Sequence, residues 1–154
     1  MHRVVSLYFQ DGELVEYQLC ETETHNSCLE LYQKELLDID FIFFDSDGTP
    51  LPLWFADDPF KVQILLTCHD RLLASLEQTN CQLTDEYGSS VLPLKALAFD
   101  NRFVRDILAG KTDNSSPVDC EFSMAIYAGN TPGVNMQLFF TFKARLIAGR
   151  KNTM

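Results

Sequence analysis

The chain has 154 residues, 46% of them apolar, and carries 22 acidic side chains against 12 basic ones, a formal charge of -10. That size fits a single domain over residues 1–154, and the acidity argues against a nucleic-acid groove, which needs clustered Lys and Arg. Residues 124–128 are the longest apolar run, far short of the roughly 18 residues of a membrane span, and residues 1–13 lack the apolar core of a secretory signal, so a cytoplasmic protein is expected.

Residues 3–19 predict a hairpin. Arg3 to Gln10 and Glu13 to Leu19 are strand-like, and Asp11-Gly12 supplies the positive φ angles of a tight turn. Val5, Leu7 and Phe9 share a face. On the return strand Leu14, Glu16 and Gln18 alternate with Val15, Tyr17 and Leu19.

Residues 20–27 are polar and break the pattern. From Ser27 the spacing of Leu29, Tyr32 and Leu36 predicts a helix capped by Asn26 or Ser27, with a strand as competitor. Residues 38–55 form an apolar, aromatic-rich hairpin around Asp45-Ser46-Asp47-Gly48-Thr49. Asp58-Pro59 then reads as a helix start. Val62, Leu65, Leu66, His69, Leu72, Leu73 and Leu76 follow at helical spacing, predicting a helix over 59–78. Phe60, Ile64 and Cys68 lie off that stripe and support the alternative, a strand over 61–68 followed by a turn.

Residues 80–90 are turn-rich. Residues 91–99 read as a strand, with Pro93 placing it at an edge or bulge. Asn101 caps a short predicted helix ending at Gly110. Residues 120–128 and 136–147 alternate as a closing hairpin, with Phe122, Met124 and Ile126 on one face and Leu138, Phe140, Phe142, Ala144 and Leu146 on another. A short basic tail occupies 148–154. The expected fold is α+β: antiparallel hairpins forming a sheet or sandwich-like core, with two or three packed helices.

The strand Phe41-Ile42-Phe43-Phe44 leading into Asp45-x-Asp47-Gly48-Thr49 resembles the first motif of the haloacid-dehalogenase-like phosphatases. The resemblance implies Asp45 as the phosphoryl-accepting nucleophile, Asp47 as general acid and base, and Mg²⁺ held by both. The chain departs from that pattern at Pro50, and it contains no GDxxxD. A hairpin accounts for more of the same residues. Ile39, Phe41 and Phe43 match Leu51, Leu53 and Phe55 in parity, and Pro50 and Pro52 share the other parity, where both missing N–H groups can face away from the partner strand.

Five cysteines, Cys20, Cys28, Cys68, Cys81 and Cys120, form no CxxC pair and read as reduced, mostly buried thiols. Cys20, His25 and Cys28 match no standard zinc spacing. No local feature singles out a cysteine to pair with His25 or His69 as a nucleophile. No catalytic residue, cofactor or metal ligand is therefore assigned.

Ile42, Phe44 and Trp54 lie on the second face of the central hairpin and form the candidate partner-binding patch. The function read from these features is a non-enzymatic, small acidic protein that binds another protein as an adaptor, chaperone-like factor or inhibitor. Its partner would be a basic protein or a second copy of itself, with no nucleic acid and no membrane. The alternatives are the Mg²⁺-dependent phosphatase using Asp45 and Asp47, and a viral or phage assembly protein.

Overall fold

A computed structural model describes residues 2–19, 28–32, 37–51, 53, 59–68, 71–86, 89–97, 118–128 and 136–147. The described residues are all-β, with no helix among them. Among these residues ten strands run in chain order: β1 (Arg3–Gln10), β2 (Glu13–Leu19), β3 (Leu29–Tyr32), β4 (Leu37–Asp45), β5 (Phe60–Cys68), β6 (Arg71–Cys81), β7 (Thr84–Glu86), β8 (Ser89–Leu97), β9 (Val118–Ala128) and β10 (Met136–Ile147). They build two five-stranded sheets, ordered β2-β1-β4-β8-β7 and β3-β10-β9-β5-β6. Both sheets are mixed: β1 pairs with β4, and β3 with β10, in parallel, while the other neighbours are antiparallel.

The expected α+β fold is therefore corrected, and two of its helices are strands. Over residues 27–38, β3 lies beside β10 in the register Leu29↔Ala144 and Leu31↔Leu146. Leu29 and Leu31 are both buried, so the operative period there is two. Over residues 59–78, β5 and β6 form an antiparallel pair. Phe60, Val62, Ile64, Leu66 and Cys68 are all buried on one face of β5, an uninterrupted strand alternation that also contained a helical stripe. Tertiary packing between β9 and β6 decides for the strand, because it satisfies both edges of its backbone. The helix expected after Asn101 lies outside the described residues.

The hairpin expectations hold where they can be read. Asp11 and Gly12 have φ angles of 54° and 83°, the two consecutive left-handed residues that a two-residue turn matching strand twist requires. One detail differs. Tyr8 faces Glu16 while Phe9 faces Leu14, so Val15 is the extra residue of a bulge. Leu14 consequently turns to the core with Tyr17 and Leu19, and Val15 is exposed. Pro93 on β8 lies beyond the last β7 rung, Thr84↔Val91. That side of the strand has no partner among the described residues, which suits a residue without an N–H.

The core sits between the sheets. Val5, Leu7, Phe9, Ile39, Phe41, Phe43, Leu92 and Leu94 face inward from the first sheet onto the inner residues of β5, β9 and β10. Phenylalanines make the cross-sheet contacts: Phe41 packs on Phe122 with ring centroids 6.0 Å apart, and Phe43 meets Phe140 edge-on at 6.4 Å. Each fully buried ring contributes roughly 1.5–3 kcal/mol over exposure, so this layer dominates the favourable side of folding.

Candidate functional site

The Asp45–Thr49 segment is a self-contained turn. The Gly48 N–H donates to Asp45 O at 2.9 Å, the Asp45 N–H donates to Thr49 O at 2.8 Å, and Gly48 sits at φ 90°. Beyond the turn the Leu51 N–H donates to Phe43 O, and Phe44 bridges Pro50 in antiparallel sense. Since Leu51 turns its N–H toward β4, the nitrogen of Pro50 faces away, as the proline parity anticipates. Pro52 lies outside the described residues. Leu51 and Leu53 pack against the core, which extends the parity of Ile39, Phe41 and Phe43 across the turn.

Within the turn the carboxylates are tied locally. Asp47 Oδ1 accepts from the Thr49 N–H at 3.1 Å and from the Thr49 hydroxyl at 2.8 Å. The same hydroxyl lies 3.4 Å from Asp45 Oδ2. The Thr49 N–H bond, followed by the Thr49 hydroxyl, holds the Asp47 carboxyl below the usual range. Mg²⁺ prefers a near-octahedral oxygen shell. No group of three or more His, Cys, Asp or Glu residues converges to hold a metal among the described residues. The two carboxylates that the phosphatase resemblance implies for the ion, Asp45 and Asp47, both lie against the Thr49 hydroxyl.

The predicted contact patch divides. Ile42 is buried at 4% exposure, although it lies on the face of the first sheet opposite the main core. Phe44 is half-buried, and its ring stacks on Tyr8 with centroids 5.3 Å apart and planes 19° from parallel. Trp54 lies outside the described residues. Tyr8 was not among the residues singled out in the sequence. Its parity, opposite to Val5, Leu7 and Phe9, was visible. Its position beside Phe44 follows from the parallel register Tyr8↔Phe44, which only the tertiary fold supplies.

That parallel register also gathers charge. Because β1 and β4 run the same way, with Phe9 opposite Asp45, their following turns emerge at the same end of the sheet. Asp11, Glu13, Asp45 and Asp47 therefore share that end, and Glu16 flanks Tyr8 on β2. Across the outward face, one row runs Glu16, Tyr8, Phe44, Pro50. At the opposite end of the same strands, His2 places its two ring nitrogens 2.9 Å from Asp38 Oδ1 and 3.2 Å from Asp40 Oδ2, with Asp40 buried.

Cys68, Cys81 and Cys120 are buried free thiols, and Cys28 is a half-buried one. Burial pushes the Cys81 thiol up to about 11 and, helped by neighbouring Cys68, the Cys120 thiol up to about 12. Such thiols stay protonated and make poor nucleophiles. Cys20, His25 and His69 lie outside the described residues.

No family model matches the chain, and no curated protein matches it. Among solved structures it is similar to the N-terminal domain of phage TP901-1 ORF48, at 12% identity and a TM-score of 0.36, over 97% of this chain and 98% of that one.

Proposed function

We propose that this chain is a non-enzymatic protein-binding module, and that the Tyr8–Phe44 platform with its acidic rim receives a basic segment of another protein. The observation that carries the reading is the stacked Tyr8–Phe44 pair on the outward face of the first sheet, at the end where Asp11, Glu13, Asp45 and Asp47 collect. An aromatic face attracts Lys and Arg through its quadrupole, by about 0.5–2 kcal/mol depending on desolvation. The carboxylates around it, on a chain of charge -10, raise the encounter rate with a cation and reject acidic competitors. The closed Asp45–Thr49 turn, whose carboxylates are engaged by Thr49, supports binding over phosphoryl transfer. An adaptor, a chaperone-like factor and an inhibitor would all use such a surface, and the partner's identity distinguishes them.

The test is titration of a labelled arginine-rich peptide, followed by fluorescence anisotropy at low and high salt. Binding that weakens with salt, and weakens about tenfold in Tyr8→Ala and Phe44→Ala, is the expected result. Equal binding by those variants, or no binding by the wild type, rejects the surface. Mg²⁺-dependent hydrolysis of a phosphate monoester that disappears in Asp45→Asn would replace the reading with the enzymatic one.

A further inference from the structure

The buried thiols of the second sheet take no part in the binding platform, and two of them face each other. Thr67 of β5 stands opposite Glu121 of β9, and one step further along both strands sets Cys68 against Cys120. Each continues a core-facing alternation, Cys68 after Ile64 and Leu66, Cys120 before Phe122 and Met124, and both are buried. The Cys68 thiol donates to Asp119 O at 3.3 Å, the carbonyl bonded to the Cys120 nitrogen. After burial itself, Cys68 is the largest influence raising the Cys120 thiol, so the two groups feel each other. Both are free.

Opposite residues of antiparallel strands have Cα atoms about 4.5 or about 5.5 Å apart. Either separation falls within the roughly 4.4–6.8 Å that disulfides span. The other described cysteines do not meet this condition. Cys81 stands opposite Phe60, at the far end of β5 from Cys68. Leu29, the neighbour of Cys28, is divided from Cys120 by Ala144 of β10. Two strand spacings, about 9.6 Å, exceed the ~7 Å beyond which a bridge requires backbone movement.

We propose that Cys68 and Cys120 are a redox modification site, closed by a peroxide into a disulfide between β5 and β9. As a thiolate, the first sulfur attacks one peroxide oxygen. The O–O bond breaks and hydroxide leaves, giving a sulfenic acid. The second thiolate attacks that sulfur, the S–O bond breaks, and the S–S bond forms as another hydroxide leaves. The two thiol protons turn both hydroxides into water, so two thiols are oxidised and one peroxide is reduced. Burial keeps the Cys120 thiol protonated, which makes the reaction slow and spares the pair during brief exposure. Cys68 ends β5 and Cys120 lies near the start of β9, where strands open locally and admit a small oxidant. The bond encloses β6, β7 and β8 in one covalent loop. That restricts the unfolded chain and stabilises the folded one.

Hydrogen peroxide treatment of the reduced, folded full chain over hours tests this. Remaining thiols are then alkylated in denaturant, and the protein is read by intact mass and by peptide mapping. The expected product has lost two hydrogens, carries two fewer alkyl groups, and yields a linked peptide joining Cys68 to Cys120. Its urea midpoint should rise and return after reduction with dithiothreitol. Cys28→Ala should give the same link and the same rise. Cys120→Ala, with its fold checked by circular dichroism, should give neither. Prolonged treatment that leaves Cys68 and Cys120 unlinked overturns the proposal. So does a link that joins either of them mainly to Cys20, Cys28 or Cys81, or that forms only between molecules. An equal rise in midpoint for Cys120→Ala also overturns it, because the stabilisation would then come from another modification.

Discussion

Phe9 of the first sheet and Phe140 of the second meet edge to face, with ring centroids 5.5 Å apart. Phe43 stacks on Phe9 at 6.0 Å and meets the same Phe140, so three rings from β1, β4 and β10 close this part of the core. Phe140 is buried, and its sequence neighbour Phe139 is half-exposed on the opposite side of the same strand. Phe140→Ala should therefore lower unfolding stability by about 3–5 kcal/mol, through lost transfer energy and a cavity. Phe139→Ala should cost less than about 1 kcal/mol. Urea unfolding of the two variants checks the contrast, and equal losses would contradict the strand register.

Gln78 carries a different liability. Its side-chain oxygen is the one buried side-chain polar atom without a hydrogen-bond partner among the described residues. It faces the core side of β6, opposite Val62. An unpaired buried acceptor costs about 1–3 kcal/mol. Gln78→Leu should thus raise stability by about 1 kcal/mol, read as a higher urea midpoint with unchanged slope.

Acid should act on the Asp45–Thr49 turn. The folded Asp47 carboxyl is held down by the Thr49 N–H and hydroxyl, so its contribution is present above the unfolded value of about 3.9. It is lost as pH falls through the folded value, because protonation then removes the charged acceptor. Asp47→Asn keeps an acceptor without the charge. The variant should be less stable than the wild type at neutral pH, and the gap should close below pH about 3.9 in pH-dependent unfolding.

Alkali should act through the buried acids. Cys81 and Cys120 are raised to about 11 and about 12. Burial, with neighbouring Cys28 next, raises Tyr17 to about 12. Unfolded thiols ionise near pH ~8.5, so above that value the unfolded chain releases protons that the folded chain retains. Stability should be intact below pH ~8.5 and decline steadily toward pH 11, with Cys120→Ala flattening the slope. Equilibrium unfolding at pH 8, 9 and 10 measures this, and a flat profile would mean that the thiols are hydrated in the native state.

Much of the local structure was legible because short-range chemistry specifies it. Asp11-Gly12 and Asp45–Thr49 read as turns from residue type alone, and β9 and β10 from strict alternation. Residues 60–68 were ambiguous because Leu65 between Ile64 and Leu66 completes a helical stripe without disturbing the strand parity of Phe60, Val62, Ile64, Leu66 and Cys68. Only the neighbours β9 and β6 resolve that conflict. Residues 29–32 were misread for a similar reason, since a strand of four residues is too short to display its period. The Tyr8–Phe44 contact and the meeting of two acidic turns depend on a parallel pairing of distant segments, for which neither strand carries a local signal.

The path of β3 has a consequence for how the chain is made. Between β2 and β4, both in the first sheet, the chain crosses to the second and lies against β10, with Leu29 beside Ala144. A ribosome delivers β3 before its ladder partner among the described residues, β10, with β4 to β9 made between them. During synthesis β3 waits for β10 while the intervening strands emerge, and the second sheet cannot gain that edge until β10 has emerged. Such sequence-distant pairing is entropically late and slow. That edge of the second sheet is therefore closed late, and until then β3 is open to chaperones and to mispairing with its neighbours.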